Sequence, residues 1–160
     1  MEKKDPEAIY CLGNQYNHGG LGLRKDMRRA VALWAEATEH GSIETLYCLG
    51  DAYYFGDGVH EDKKKAVHFY EKAAMQGHVH SRFNLGLIEW KKGDQDRALR
   101  HYLISAKMGH KDSVEAIKNI FAKGLATKEL YFQALKEYQE AVEEMKSHDR
   151  DEAKRILDSK

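Results

Sequence analysis

The chain has 160 residues, 42% hydrophobic and 32% charged, and its 26 basic and 26 acidic side chains cancel. This balance argues against a nucleic-acid binder, which normally shows a basic excess, and no apolar run reaches the ~20 residues that span a bilayer. The polar first residues predict no signal peptide and two cysteines predict no disulfide framework, so we expect a cytoplasmic protein without a membrane partner.

One sequence pattern recurs three times along the chain. Each copy has a Leu-Gly pair, then an aspartate that precedes an alanine by four residues, and finally a closing glycine. A period of about 32–37 residues is the signature of stacked helical repeats. The members are Leu12, Leu49 and Leu85; Asp26, Asp62 and Asp94; Ala30, Ala66 and Ala98; and Gly41, Gly77 and Gly109.

In chain order, each copy predicts a helix A, a turn and a helix B. Asp5 is expected to cap the first helix A, with Pro6 at its first position, and the repeated aspartates are expected to cap each helix B. The closing glycines suit the left-handed residue that follows a helix. We therefore predict repeats at residues 6–41, 42–77 and 78–109, with a degenerate unit at residues 110–126.

The last part of the chain predicts a polar end to the repeats. Thr127 is expected to cap a longer helix through about Met145, with an apolar stripe on one face and glutamates on the other. Residues 147–149 are expected to break or bend the chain before a last short segment. We therefore predict C-terminal capping helices at residues 127–158 and one solenoid domain over residues 1–160.

Gly50 is predicted to lie inside a helix, and its counterparts are Gly13 and Gly86. A glycine there costs up to ~1 kcal/mol relative to alanine. Its recurrence therefore predicts that a neighbouring helix approaches too closely for a side chain, and that Gly50→Leu destabilises the fold strongly.

These columns resemble the Sel-one-like repeat family, a relative of the tetratricopeptide repeats. The resemblance covers residues 6–109 strongly and residues 110–126 weakly. It implies an all-α, right-handed α-solenoid of helix-turn-helix repeats that holds partners in complexes, including degradation and signalling assemblies, with no shared chemistry. Repeat two matches most closely, through Leu49-Gly50, Tyr53, Gly56-Asp57-Gly58-Val59, Asp62, Lys65-Ala66, Tyr70, Lys72-Ala73-Ala74 and Gly77.

The tail at residues 124–147 also looks like the ending of algal-type members of that family. Some of those members carry a RING-type zinc domain ahead of the repeats, whereas this chain has no cysteine–histidine zinc pattern. The resemblance therefore leaves a second reading open, in which the chain is the substrate-receiving fragment of a RING-type ubiquitin ligase.

The predicted binding surface is the concave inner face of the A helices. The residues two before, two after and five after each leucine of the Leu-Gly pairs are expected to face a groove, where frequent aromatic rings are typical of protein recognition. Alternatively, some rings only pack between repeats. Because equivalent residues form a ladder, we expect an extended or helical peptide as partner. The residues are Tyr10, Asn14, Asn17, Tyr47, Asp51, Tyr54, Phe83, Leu87 and Trp90.

No sequence motif indicates a catalytic residue, a cofactor or a metal site. His78 and His80 are two residues apart and point to different faces of a helix, so they are expected on the surface or in packing. Cys11 and Cys48 occupy the same repeat column on successive A helices, which are expected to lie too far apart for a disulfide. Both are therefore predicted to be small buried residues. The preferred hypothesis is a non-enzymatic scaffold, and a repeat-based hydrolase is the weaker alternative.

Overall fold

The computed structural model describes residues 4–159, which form eight α-helices and no strand. Within these residues, none of the helices combines the length and the apolar character that crossing a bilayer requires. The chain divides after Leu85 into two compact units, and the division falls within the fifth helix. The helices are α1 (Pro6–His18), α2 (Met27–Glu39), α3 (Ile43–Phe55), α4 (Lys63–Met75), α5 (Val79–Lys92), α6 (Gln95–Lys107), α7 (Lys111–Ala122) and α8 (Lys128–Asp158).

The helix pairs α1–α2, α3–α4 and α5–α6 coincide with the three sequence repeats. In the first unit α1 packs on α2, α3 packs on α4, and α2 packs on α3. In the second unit α6 and α7 pack on each other and both contact α8. Within each unit, helices that follow one another closely in the sequence therefore pack on each other.

The predicted caps set the ends of the B helices. Asp26, Asp62 and Asp94 each accept a hydrogen bond from the backbone N–H three residues later, at 3.0 to 3.1 Å. Each of these bonds satisfies one of the otherwise unpaired N–H groups of the first helical turn. The closing glycines adopt positive φ angles of 93°, 90° and 89° at Gly41, Gly77 and Gly109.

Each repeat contains a glycine that faces an aromatic ring. A Cβ atom placed on Gly50 would lie 2.5 Å from Cε1 of Tyr70, which is closer than carbon atoms pack. Tyr70 itself is 2% exposed, so its ring has little room to move. The predicted close approach is thus confirmed, and the approaching group is the helix B ring of the same repeat. The other two pairs are Gly13 with Trp34 and Gly86 with Tyr102.

A second column shows how repeat three tolerates its departure from the family pattern. In repeat two, Lys65 Nζ lies 4.3 Å from the ring centre of Tyr53 and 3.0 Å from its hydroxyl. Repeat three has Glu89 in place of that tyrosine, and its carboxylate lies 3.1 Å from Lys92 and 3.9 Å from Arg97. Arg97, which corresponds to Lys65, therefore keeps a partner in repeat three, because an ion pair with Glu89 replaces the cation–π contact with a tyrosine.

The C-terminal helix differs from the prediction. Thr127 caps it as expected and accepts a hydrogen bond from the N–H of Leu130. The predicted break at residues 147–149 is wrong, because α8 runs unbroken for 31 residues. The segment holds neither proline nor glycine, so nothing in it removes or strains a helical hydrogen bond. Of the described residues of α8, only Ala134 is buried, and every one from Glu143 onwards is exposed.

The two cysteines are free, but they are not equally covered. Cys48 is half-buried, because α3 packs against both α2 and α4. Cys11 is exposed, so the prediction that both are buried is wrong for this residue. The two cysteines lie on the same face of their helices because they occupy the same repeat column. Cys48 is the more buried of the two because a neighbouring helix covers this face in α3.

Candidate partner-binding clefts

The first unit contains a cleft of about 450 Å³ on the side of α1 and α3. Five of the nine predicted site residues line it. Their spacing within each helix is three or four residues, which places them along one helix face. The predicted members are Tyr10, Asn14, Asn17, Tyr47 and Asp51, and the further lining residues are His18, Met27, Trp34, Cys48, Ala52, Phe55 and Asp57.

Asp51 lies at the wall of this cleft and is held from inside the repeat. Its Oδ1 atom accepts a hydrogen bond from the Tyr70 hydroxyl at 2.5 Å. Burial raises the pKa of Asp51 above its ordinary value, while the hydroxyls of Tyr70 and Tyr47 and the nearby His78 oppose this rise. Burial, together with the nearby Asp51 carboxylate, also raises the pKa of Tyr47 to about 12. Asp51 is therefore a partly desolvated carboxyl group in a fixed position.

Asn14 is the counterpart of Asp51 in repeat one, and it also accepts a hydrogen bond from the helix B ring. Its Oδ1 atom accepts a hydrogen bond from the indole Nε1 of Trp34 at 3.2 Å. Asn14 and Asp51 were predicted only as groove residues, but each also anchors the helix B ring of its own repeat. These side chains are consequently pre-ordered, which lowers the entropy cost of using them to bind a partner.

Tyr47 is fixed by a polar network that the sequence reasoning missed. The ring of His78 stacks on Tyr47 with 4.8 Å between ring centres. The backbone N–H of Ser81 donates to His78 Nδ1 at 3.2 Å, so Nε2 carries the proton and donates to Glu44 at 3.2 Å. The sequence contains a pattern that could have indicated this network, which is a polar residue followed three positions later by a hydroxyl residue. The pattern occurs in Ser42–Thr45, His78–Ser81 and His110–Ser113.

The second unit contains a smaller cleft of about 210 Å³. Two predicted site residues, Leu87 and Trp90, line it, and both come from α5. Lys123 Nζ lies 5.2 Å from the ring centre of Trp90, within the range of a cation–π contact. This cleft is therefore mainly apolar and carries a cation at its edge. Its remaining lining residues are Tyr102, Ala116, Asn119 and Ile120.

Two predicted site residues line neither cleft. Tyr54 is half-buried and packs edge-on against Phe55 at 5.0 Å, with Lys63 5.4 Å from its ring centre. Phe83 is also half-buried. Phe55, which is 71% exposed, lines the first cleft instead of Tyr54. Spacing alone does not separate the two, because Tyr54 follows Asp51 by three residues and Phe55 follows it by four. Phe55 corresponds to His18 of repeat one, which also lines the cleft.

The cysteine of the first cleft is not an activated nucleophile. Cys48 is the only cysteine lining the first cleft among the described residues, and burial raises its pKa to about 12. Its thiol therefore stays protonated at neutral pH, whereas the thiolate is the nucleophile. Among residues 4–159, no group of three or more histidine, cysteine, aspartate or glutamate side chains could hold a metal ion.

Comparison with known sequences finds a family and several curated relatives. The Sel1 repeat model matches residues 6–42, 44–78 and 81–110. Chitin synthase regulatory factor 3 of Schizosaccharomyces pombe is 34% identical over 83 residues, covering 52% of this chain and 9% of that protein. The ERAD-associated E3 ubiquitin-protein ligase component HRD3B of Arabidopsis thaliana is 40% identical over 82 residues, covering 51% and 13%. The chain thus spans less than a fifth of either relative.

Comparison with solved structures supports the fold. A protective antigen of uropathogenic Escherichia coli with an SLR fold gives a TM-score of 0.72 at 25% identity, covering 85% of this chain and 30% of the antigen. A Sel1 repeat protein of Oxalobacter formigenes gives 0.71 at 26% identity, covering 86% and 59%. The predicted all-α class of helix-turn-helix repeats is therefore confirmed.

Proposed function

Because the chain belongs to the Sel1 repeat family, we propose that it is a non-enzymatic scaffold or adaptor that binds a partner protein or peptide at its A helices. The observation that carries this proposal is the cleft of Tyr47 and Asp51, whose half-buried side chains reach solvent yet are held by internal contacts. Ordered aromatic side chains are the usual anchors of protein interfaces. The curated relatives support the proposal, since their names describe a regulatory factor and a ligase component.

The proposal is tested by capturing partners with variants of each cleft. Purified tagged chain is incubated with a lysate of the source cell, and bound proteins are identified by mass spectrometry. The variants are Tyr47→Ala for the first cleft and Trp90→Ala for the second, with Lys72→Ala as a control at an exposed position. Removing a true anchor costs ~2 kcal/mol or more, which weakens binding about 30-fold.

The result expected is a partner that the wild type and Lys72→Ala retain and at least one cleft variant loses. Circular dichroism checks that each variant keeps its helical content, so that a loss of binding is not a loss of fold. If both cleft variants fold and retain every partner, binding occurs elsewhere and this proposal fails.

A second candidate function is the substrate-receiving piece of a RING-type ubiquitin ligase. It is favoured by the likeness to the ligase component of Arabidopsis thaliana. The same capture experiment distinguishes it, because a ligase subunit should be recovered together with ubiquitylated proteins. A partner set without either favours an adaptor of another kind. For the hydrolase alternative, the first cleft offers Cys48 as a nucleophile, but burial raises its pKa to about 12, and the thiol is a much weaker nucleophile than the thiolate.

A further inference from the structure

The first cleft has a one-sided charge. Its charged lining residues are Asp51 and Asp57, and no lysine or arginine is among the described residues that line it. His18 also lines the cleft. The rest of the wall is aromatic, amide or apolar in character. The side chain of Tyr47 interacts with the carboxyl group of Asp51, and Tyr10 lines the same cleft.

Asp51 can accept more hydrogen bonds than it receives inside the repeat. A carboxylate offers about four lone-pair positions. The Tyr70 hydroxyl occupies one at Oδ1, and the Tyr47 hydroxyl also interacts with the carboxyl group, which leaves positions for a partner. The carboxylate is also partly desolvated, so a cation brought to it is attracted more strongly than it would be at an exposed aspartate. The faces of tyrosine rings attract cations as well, and a guanidinium group stacks on them better than an ammonium does.

We propose that the first cleft recognises partner segments through a cationic side chain, arginine in preference to lysine, which binds Asp51 between Tyr10 and Tyr47. This inference rests on the proposed partner-binding function and specifies its chemistry. The walls that would hold the cation are fixed, because Tyr47 stacks on His78 and Asp51 is bonded to Tyr70. A planar guanidinium group satisfies both features at once, since it pairs with the carboxylate in its plane and stacks with its faces.

The second cleft offers an internal contrast. Its position equivalent to Asp51 is Leu87, and Lys123 already lies over the ring of Trp90. No carboxylate is among the described residues that line it. A cationic side chain would meet repulsion there and no counter-charge, so preference for arginine should depend on the first cleft alone.

The test uses synthetic peptide pools and matched variants. Each pool holds fluorescent 12-residue peptides with degenerate neutral flanks and one fixed central residue, which is arginine, lysine, norleucine or glutamate. Retention is measured on immobilised wild-type protein, on Asp51→Asn and on Glu71→Gln. Glu71→Gln removes the same charge from an exposed residue outside the cleft. Asp51→Asn should fold, because repeat one already has an asparagine that accepts from the helix B ring.

We expect wild type and Glu71→Gln to retain the arginine pool at least tenfold better than the norleucine and glutamate pools. The lysine pool should be retained less than the arginine pool, and equal or better retention of the lysine pool would overturn the preference for a planar guanidinium group. In Asp51→Asn the preference for arginine should disappear, while helical content equal to that of the wild type by circular dichroism shows that the fold is intact.

Other outcomes separate this inference from the function on which it rests. If the norleucine or glutamate pool is retained best, or if Asp51→Asn keeps the arginine preference, the cation site is wrong while partner binding stands. If no pool is retained, the cation site is also overturned, and the lysate capture with Tyr47→Ala and Trp90→Ala decides the proposed function separately.

Discussion

The cleft of Tyr47 and Asp51 and the cleft of Leu87 and Trp90 share one local design but differ in chemistry. In both, a glycine inside helix A lies against a buried tyrosine of helix B, as Gly50 does with Tyr70. The residue after that glycine is a carboxylate in the first cleft and an apolar side chain in the second. The repeat columns thus fix the backbone, and the neighbouring position sets what each cleft can bind.

The largest expected effect concerns the part that the two clefts share. We expect Gly50→Ala and Gly86→Ala each to lower the free energy of unfolding by about 1–3 kcal/mol, because the added methyl group overlaps a buried ring. Gly50→Leu should lower it further, or prevent folding. Urea unfolding followed by circular dichroism measures the change. An alanine variant as stable as the wild type would show that the ring can shift freely, and the shared design would then be wrong.

A smaller effect should separate the two chemistries. We expect Asp51→Leu, which gives the first cleft the residue type of the second, to cost about 1–2 kcal/mol, because it removes the carboxylate that accepts from Tyr70. Asp51→Asn should cost clearly less, because its amide oxygen can accept the same bond. Urea unfolding of both variants measures the difference, and equal losses would mean that this hydrogen bond does not stabilise the repeat.

The third prediction concerns Glu89, which separates repeat three from repeat two. We expect Glu89→Ala to cost about 1 kcal/mol, because it leaves a partly buried position unfilled and removes the ion pairs to Lys92 and Arg97. Glu89→Tyr, which copies Tyr53, should recover most of this loss through a ring contact with Arg97. Thermal unfolding compares the two variants. A tyrosine variant less stable than the alanine variant would contradict the exchange of contacts between repeats.

The smallest effect is the pH dependence of the first cleft. Burial raises the pKa of Asp51 in the folded protein, so the fold favours its protonated form. This contribution to stability is fully present below the unfolded pKa and is lost as the pH rises through the folded pKa. Wild type should therefore lose stability relative to Asp51→Asn as pH rises from about 3 to 7. Unfolding curves across this range that stay parallel would contradict the prediction.

Sequence reasoning predicted what depends on local signals and periodicity. The caps at Asp26 and Thr127 follow from side chains that bond to the next helical turn, and the Gly50 contact follows from its recurrence inside a helix. The break at residues 147–149 was wrong because polar residues can stop a helix but do not have to. Only proline or a strained backbone would have forced it.

The candidate site was less predictable, because periodicity indicates which residues share a helix face but not which parts of the chain cover that face. Tyr10, Tyr47 and Asp51 line the first cleft, whereas Tyr54 does not and its neighbour Phe55 does. One step along a helix turns a side chain by about 100°, so residues at the edge of a face are the first to be misplaced. The internal bond from Tyr70 to Asp51 depends on the distance between two helices, which no spacing within one helix contains.

The exposed end of α8 has a consequence for the timescales of the molecule. From residue 146 to residue 159 every side chain is exposed, which is about 20 Å of helix without buried support. An isolated helix of this length is marginal in water, because nucleation is costly and few hydrogen bonds repay it. This segment should fray and reform many times while the turns around Ala134 stay closed. Its amide protons should exchange with deuterium far sooner than those near Ala134, within one continuous helix.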